Sequence, residues 1–140
     1  MDYQKLMVLR NKKNAFAGVV GIKLTEIREG YARAELAVNE HHLNPIGSVH
    51  GGCLYTLADM AGGAAATSHG YAATTLNSDI HYLNAGIHTT YLYAEAKEIK
   101  HGKKTMVYEI HITDQDQKLL AAATFTFMSL GIPIKIEDAV

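Results

Sequence analysis

The chain has 140 residues, a formal net charge of −1 and one cysteine, and these figures exclude several classes of protein. Near-neutral charge argues against nucleic acid, or an anionic membrane surface, as a partner bound through bulk charge. The single cysteine, Cys53, excludes an internal disulfide, and its place in an apolar stripe predicts a reduced packing residue. The length predicts one domain over residues 1–140.

The N-terminal segment combines apolar and charged residues at near-helical spacing, so we expect a short amphipathic helix over residues 2–14. Charges scattered through the first twenty residues do not support a secretory signal or a membrane span, and we expect a cytoplasmic protein. Two extended runs follow, at 19–27 and 31–38. The turn residues 28–30 lie between them, and the pattern predicts a hairpin.

Residues 44–59 are the most informative stretch, because a polar loop ends in His50, Gly51 and Gly52 and a helix carrying Asp59 follows. A helix that begins on glycines presents unpaired N–H groups and a partial positive charge, which suit a carbonyl oxygen or an oxyanion. Eight residues of regular helix span about 12 Å, so one chain cannot bring Gly51 and Asp59 to the same substrate atom. If both act in one reaction, the sequence predicts a homodimer with interfacial sites.

The second half of this helix, AGGAAATSHG, consists almost entirely of small residues, which a solvated helix would not need. We expect strand backbones to approach it closely. The rest of the chain predicts four strands, three of them in a consecutive meander: 73–83, 89–100, 104–113 and 119–130. This order predicts an α+β domain in which an antiparallel sheet wraps around one long central helix.

A pattern of spaced residues runs through the motif and the strand after it: Asn44, Gly47, His50–Gly52, Leu57–Asp59, Thr75 and Tyr82. This pattern resembles the hot-dog-fold acyl-CoA thioesterases of the PaaI type. The resemblance implies that the Gly51 N–H polarises the thioester carbonyl and that Asn44 and His50 shape that side of the site. It also implies that Asp59 comes from the opposite subunit, and that the assembly is a homodimer at least and a homotetramer by resemblance.

Three further positions gain a role from the resemblance. It places the Thr75 hydroxyl beside the acid, and it makes Gly52 and Tyr82 substrate contacts. The family often closes the next strand with a proline, whereas this chain has Asn84-Ala85-Gly86, so the loop there departs from the pattern.

The chemistry of the motif can be stated from the residues alone. Thioester hydrolysis needs donors aimed at the carbonyl oxygen, and Gly51 suits this role because it lacks a Cβ and admits the substrate. The Asp59 carboxylate could activate water as a general base or attack as a nucleophile, and both routes stay open. Thr75 could orient the water or the acid.

Each assignment has a structural alternative. Asp59 could be a paired structural acid, since buried acids are rarely tolerated unpaired. His50 could cap the start of the helix, a role that we rank at least equal to proton transfer. Asn44 precedes Pro45 and is a common turn former, and Thr75 would be ordinary in any strand.

The histidines and a cluster of lysines are the remaining candidates for binding a metal or an anion. Eight histidines raise the question of zinc, but there is no HExxH and the spacings do not favour a site: His41 with His42, His81 with His88, His101 with His111. We therefore predict no metal and no cofactor. Lys100, Lys103 and Lys104 could meet the phosphates of coenzyme A, or they could form a solvated turn.

The resulting prediction is an acyl-CoA thioesterase that releases a free acid and coenzyme A. A hot-dog dehydratase or hydratase is a weaker alternative, because it needs a different placement of acid and base. A non-catalytic acyl-CoA-binding module using the same cleft is the alternative from another class. The presence of Asp59 together with Thr75 favours catalysis over the module.

Overall fold

The computed structural model describes residues 1–139, with side chains described up to residue 137. The helices are α1 (Tyr3–Lys13), α2 (Ala15–Val20) and α3 (Gly51–Thr67), with short 3-10 turns at Glu40–His42 and Ile136–Ala139. The strands are β1 (Lys23–Arg28), β2 (Tyr31–Ala37), β3 (Tyr71–Tyr82), β4 (Tyr91–His101), β5 (Thr105–Asp114) and β6 (Leu119–Pro133). The predicted α+β architecture with a short N-terminal helix is confirmed.

Within residues 1–139 the strands form one antiparallel sheet in the order β1-β2-β4-β5-β6-β3. The meander predicted for the C-terminal half is the run β4-β5-β6. Strand β3 leaves α3 and pairs with β6, so it lies at one edge of the sheet while β1 lies at the other. Helix α3 packs against the concave face that this sheet wraps around it.

One part of the first predicted hairpin is wrong. Val19 and Val20 were expected to be extended, but they end the helix α2. Gly21 follows with φ of 98°, and the N–H groups of Gly21 and Ile22 both donate to the carbonyl of Ala17. Because glycine adopts this left-handed conformation without strain, it ends the helix and the strand β1 begins only at Lys23.

The small residues of α3 allow a close approach, and at Gly62 large side chains from two strands occupy the space beside the helix. A Cβ added to Gly62 would lie 2.8 Å from the Phe127 ring and 2.9 Å from Ile110 Cδ1. Both of these side chains are fully buried in the core. The helix therefore has a glycine at the point where β5 and β6 project large side chains towards it.

The two edges of the sheet differ in what covers them. At the β1 edge, the side chain of Asn11 on α1 bonds both backbone groups of Leu24, accepting from its N–H at 2.9 Å and donating to its carbonyl at 3.0 Å. At the other edge, β3 has no strand on its outer side within the described chain. Leu76 on this strand is 56% exposed. A long unpaired edge with apolar side chains is typical of a surface that pairs with another chain.

A matched pair of glycine substitutions tests the packing of α3. We expect Gly62→Ala to lower the free energy of unfolding by about 1–2 kcal/mol, because overpacking outweighs the helix propensity gained from alanine. We expect Gly18→Ala in α2 to raise it by a few tenths to about 1 kcal/mol, since a Cβ there meets nothing within 4 Å. Urea denaturation at equal protein concentration measures both. Equal stabilisation by the two variants would contradict the packing described.

Candidate active site

The start of α3 offers one free backbone donor. His50 caps the helix with its Nδ1, which accepts from the Gly52 N–H at 2.8 Å. The Gly51 N–H has no hydrogen-bond partner among the described residues. The first N–H groups of a helix have no intrahelical acceptor and carry its positive partial charge, so Gly51 presents a donor to a carbonyl oxygen from outside. The Gly52 donor, in contrast, is already engaged.

The side chain of Tyr82 packs against Gly51. Its hydroxyl donates to the Gly51 carbonyl at 3.0 Å, and a Cβ on Gly51 would lie 3.2 Å from the Tyr82 ring. Burial, and then the neighbouring Tyr55, raises the pKa of Tyr82, so its phenol stays protonated and able to donate. The structure therefore places Tyr82, at the end of β3, directly beside Gly51.

Asn44 organises the loop before the helix. Its Oδ1 accepts from the N–H groups of Ile46 and Ser48 at 3.1 and 3.0 Å, and its Nδ2 donates to the Ser48 hydroxyl at 2.7 Å. This network holds the loop in a fixed turn. Asn44 lines a cavity of about 250 Å³ with Gly51 and Tyr82, so it shapes the Gly51 side of the site.

The loop that departs from the family pattern forms another wall of this cavity. Asn84, Ala85 and Gly86 all line it. The Gly86 carbonyl accepts from the Val49 N–H at 3.1 Å, and the Asn84 side chain donates to the Leu119 carbonyl at 2.8 Å. The segment is thus anchored at both ends without a proline.

Asp59 is paired with Thr75, as the sequence suggested. The Thr75 hydroxyl donates to Asp59 Oδ1 at 2.5 Å, and both side chains are partly buried. A carboxylate that keeps one oxygen on a neutral donor has its second oxygen available for water or substrate. Asp59 lies eight residues along α3 from Gly51, about 12 Å at 1.5 Å per residue, so the acid and the free donor are well separated within one chain.

A β-bulge sets which residues of β3 reach the helix. Thr75 pairs with Phe127 and Asn77 pairs with Thr126, so Leu76 is an extra residue in the strand. Without the bulge, residues seven apart would face opposite sides of the sheet. With it, Thr75 and Tyr82 both face α3, where they contact Asp59 and Gly51.

Arg10 is a charged residue near the acid that the sequence reasoning missed. Its Nη1 lies 3.4 Å from the Thr67 hydroxyl, and a Cβ on Gly63 would lie 3.2 Å from its Nη2. Burial lowers the pKa of Arg10 to about 10, and the charge of Asp59 acts in the opposite direction. The signal was present in the sequence, since Arg10 follows Leu6 by four residues and so shares the buried face of α1.

A cluster with metal-ligating side chains occurs away from this site. Ligand atoms of His69, Glu98 and His101 lie within 4.8 Å of one another in the described chain. His69 Nε2 is 2.9 Å from a Glu98 oxygen, and its ring stacks on His101 with centroids 3.5 Å apart. Two histidines and a carboxylate are a donor set that zinc accepts. The histidine spacings considered in the sequence did not include this group, because its members meet only in the fold.

Neither Cys53 nor the three lysines are among the residues that line the Gly51 cavity. Cys53 is partly buried against the core, and burial raises the pKa of its thiol to about 11, so it is a poor nucleophile. Lys100, Lys103 and Lys104 are exposed at the β4–β5 hairpin. This hairpin meets the C-terminal end of α3 through the His69–His101 stack, about 24 Å along the helix from Gly51.

Three comparisons bear on this architecture. The family model of the thioesterase superfamily matches residues 46–121, more than half of the chain. The acyl-coenzyme A thioesterase PaaI of Escherichia coli is 37% identical over 110 residues, which cover 79% of each chain. The 1,4-dihydroxy-2-naphthoyl-CoA hydrolase of Listeria monocytogenes is 34% identical over 113 residues, covering 76% of this chain and 89% of that one.

Solved structures agree with the sequence relatives. The structure of E. coli PaaI superposes with a TM-score of 0.87 at 32% identity, covering 95% of this chain and 99% of that chain. A Streptococcus mutans protein crystallised with acetyl-CoA gives a TM-score of 0.77 at 30% identity, with coverages of 81% and 92%. The chain belongs to the thioesterase superfamily. It is a thioester hydrolase of the hot-dog fold, and the PaaI-like resemblance is confirmed.

No helix in residues 1–139 is both long enough and apolar enough to cross a membrane.

Measurements of stability can test whether His50 caps the helix, because a role in proton transfer would not change the free energy of unfolding. We expect His50→Ala to lower the free energy of unfolding by about 1 kcal/mol, because the Gly52 N–H loses its acceptor. His50→Asn supplies a side chain that also caps, and it should recover most of that loss. Urea denaturation of the three proteins measures the effect. A His50→Ala variant as stable as the parent would contradict the cap.

Proposed function

We propose that the protein is a cytoplasmic acyl-CoA thioesterase that acts as a homodimer at least. In this proposal the Gly51 N–H of one subunit and Asp59 of the other act on one thioester. The observation that carries it is a free donor and a hydroxyl-bonded acid on the same helix, about 12 Å apart. Neither half can complete the reaction within its own chain.

The open edge of β3 supports the assembly. Gly51 lies against Tyr82 and Asp59 lies against Thr75, so both halves of the site sit along this strand. An antiparallel pairing of two β3 strands about a two-fold axis at Ser78 would set Tyr82 of one chain opposite residue 74 of the other, next to Thr75. This two-fold arrangement extends the sheet and brings each Gly51 towards the opposing acid.

The reaction follows from these groups. The Gly51 N–H donates to the thioester carbonyl as negative charge develops on its oxygen, with the α3 dipole in support. Asp59 either removes a proton from an attacking water or attacks the carbonyl itself to give a mixed anhydride that water then opens. In both routes water is consumed, the carbon–sulfur bond breaks and the thiol leaves with a proton. Thr75 holds the carboxylate in place.

The acyl-CoA substrate class is supported by relatives. E. coli PaaI is named an acyl-coenzyme A thioesterase, and the S. mutans protein was crystallised with acetyl-CoA. Contact between coenzyme A and the lysines at 100, 103 and 104 remains a prediction. Because that hairpin lies at the far end of α3, the lysines would serve a site that holds Asp59 of their own chain. The homotetramer also remains a prediction.

A pair of substitutions at one residue isolates the Gly51 donor. Gly51→Pro adds a side chain and removes the N–H, whereas Gly51→Ala adds a Cβ and keeps it. Proline suits the first position of a helix, and His50, at φ −61° and ψ 134°, has a backbone compatible with a following proline. We expect kcat of Gly51→Pro to fall about a hundredfold to a thousandfold below that of Gly51→Ala.

Thiol release from acyl-CoA measures this difference, and circular dichroism confirms that both variants fold. Equal kcat values for the two variants would remove Gly51 from the mechanism. Tight binding of acyl-CoA by the parent protein, with no thiol release over many equivalents, would instead identify the non-catalytic binding module.

Mixing two inactive variants tests the shared site. Gly51→Pro and Asp59→Asn should each be nearly inactive as homodimers. In a dimer of one chain of each kind, one site carries both changes and the other carries neither. After unfolding and refolding an equal mixture, we expect about a quarter of the parent activity, because half of the dimers are mixed and each has one intact site. As a control, Glu26→Gln changes an exposed acid on β1, at the opposite edge of the sheet, and should retain activity.

Activity of the mixture no higher than that of the separate variants would show that Gly51 and Asp59 do not meet across subunits. Full hydrolysis by Asp59→Asn alone would remove the acid from the mechanism.

A further inference from the structure

A second cavity, larger than the one beside Gly51, lies on the other side of Asp59. It has a volume of about 530 Å³ and is bounded by α1, the start of β3, the end of β6 and residues 134–135. Much of its wall is apolar, including Leu6, Leu9 and Ile132. Three cationic side chains also line it, those of Arg10, Lys13 and Lys135, and no acidic side chain is among its described lining residues.

Two polar groups in this cavity lack good partners. Arg10 Nε is shielded from solvent and has no hydrogen-bond partner, and Arg10 forms no ion pair with any described carboxylate. Its one side-chain contact, to the Thr67 hydroxyl, is long at 3.4 Å. The Asn14 amide donates to the sulfur of Met60, which is a weak acceptor. A guanidinium with an unpaired Nε and only one long hydrogen bond is poorly compensated, so the cavity is suited to an anion.

The cavity is close to the reacting end of the site. Ala73, in its wall, precedes Thr75 by two residues on the regular part of β3 and therefore shares its face, about 7 Å away. Arg10 Nη2 lies over Gly63, which follows Asp59 by one turn of α3 on the same helix face. An acyl chain with its carbonyl beside Asp59 would run along this face towards Arg10.

We propose that this cavity binds the distal end of the acyl group, and that Arg10 pairs there with a carboxylate carried by the substrate. The preferred substrates would then be coenzyme A thioesters of dicarboxylic acids, in which one carboxyl is the thioester and the other is free. A guanidinium donates two parallel hydrogen bonds to one carboxylate, and the two Nη groups of Arg10 provide such a pair. Lys13 and Lys135 add positive charge that offsets the repulsion from Asp59.

This inference rests on the proposed thioesterase function. Adipyl-CoA and hexanoyl-CoA have the same chain length and differ at the free end by a carboxylate against a methyl group. Thiol release from both gives the ratio of their kcat/KM values. For the parent protein we expect adipyl-CoA to be favoured by about tenfold or more, since hydrogen bonds between ions are stronger than neutral ones.

Variants of Arg10 test the origin of the preference. Arg10→Gln should bring the ratio close to one, and Arg10→Lys, which keeps the charge but not the paired donors, should retain part of it. Arg28→Gln on the exposed surface of β1 is the control and should leave the ratio at the parent value. The ratio compares two substrates on one protein, so a general loss of activity or stability does not imitate the effect.

The outcomes are distinct. Hydrolysis of hexanoyl-CoA with no preference for adipyl-CoA by the parent overturns the inference and leaves the thioesterase function standing. This measurement needs no variant, so it holds even if Arg10→Gln fails to fold. A preference that survives in Arg10→Gln also overturns it, and so does an equal loss on both substrates, which would make Arg10 a support for Asp59. Absence of thiol release from any acyl-CoA would remove the proposed function itself.

Discussion

The structure depends on the contact between one face of α3 and the edge strand β3. Residues spaced by four along the helix occupy that face: Gly51, Tyr55, Asp59, Gly63 and Thr67. The strand runs antiparallel to them, so that Tyr82 meets Gly51, Ser78 meets Tyr55 and Thr75 meets Asp59. Side chains of β3 therefore bond the Gly51 carbonyl, the Tyr55 hydroxyl and the Asp59 carboxylate, and the Gly51 N–H stays free. The register of this one contact fixes the positions of the donor, the acid and its hydroxyl.

That contact also places the candidate groups near one edge of the sheet. The donor and the acid on α3 lie against the outermost strand, so these two groups are near an open sheet edge. The opposite edge is closed by α1, whose Asn11 occupies the backbone groups of Leu24. The proposed association uses the other edge, where the twelve residues of β3 have no strand on their outer side in the described chain.

Local features of this fold were predictable from the sequence and non-local ones were not. The start of α3 follows from residues adjacent to one another, since His50 and the glycines after it define a capped helix by themselves. The alternation of the later strands is equally local. The helix α2 was missed because Val19 and Val20 favour strands, and Gly21 overrides that preference by ending the helix in a left-handed conformation.

The candidate site shows the same division. The pairing of Asp59 with Thr75 was expected from the sequence. The position of Tyr82 on the same face as Thr75 depends on the bulge at Leu76, and no glycine or other turn residue marks this bulge in the sequence. The cluster of His69, Glu98 and His101 joins a loop to a strand 29 residues further along, a contact that only the fold creates.

The two adjacent glycines of α3 show how one helix serves both the core and the candidate site. Successive helical residues point about 100° apart, so Gly62 and Gly63 face different neighbours. Gly62 makes room for Phe127 and Ile110, which close the core, whereas Gly63 makes room for the guanidinium of Arg10. A larger residue at 63 would crowd the Nη2 of Arg10, and a larger residue at 62 would displace buried rings. The small residues of this helix therefore make room for two kinds of side chain. Gly62 accommodates core side chains from the sheet, and Gly63 accommodates the guanidinium of Arg10.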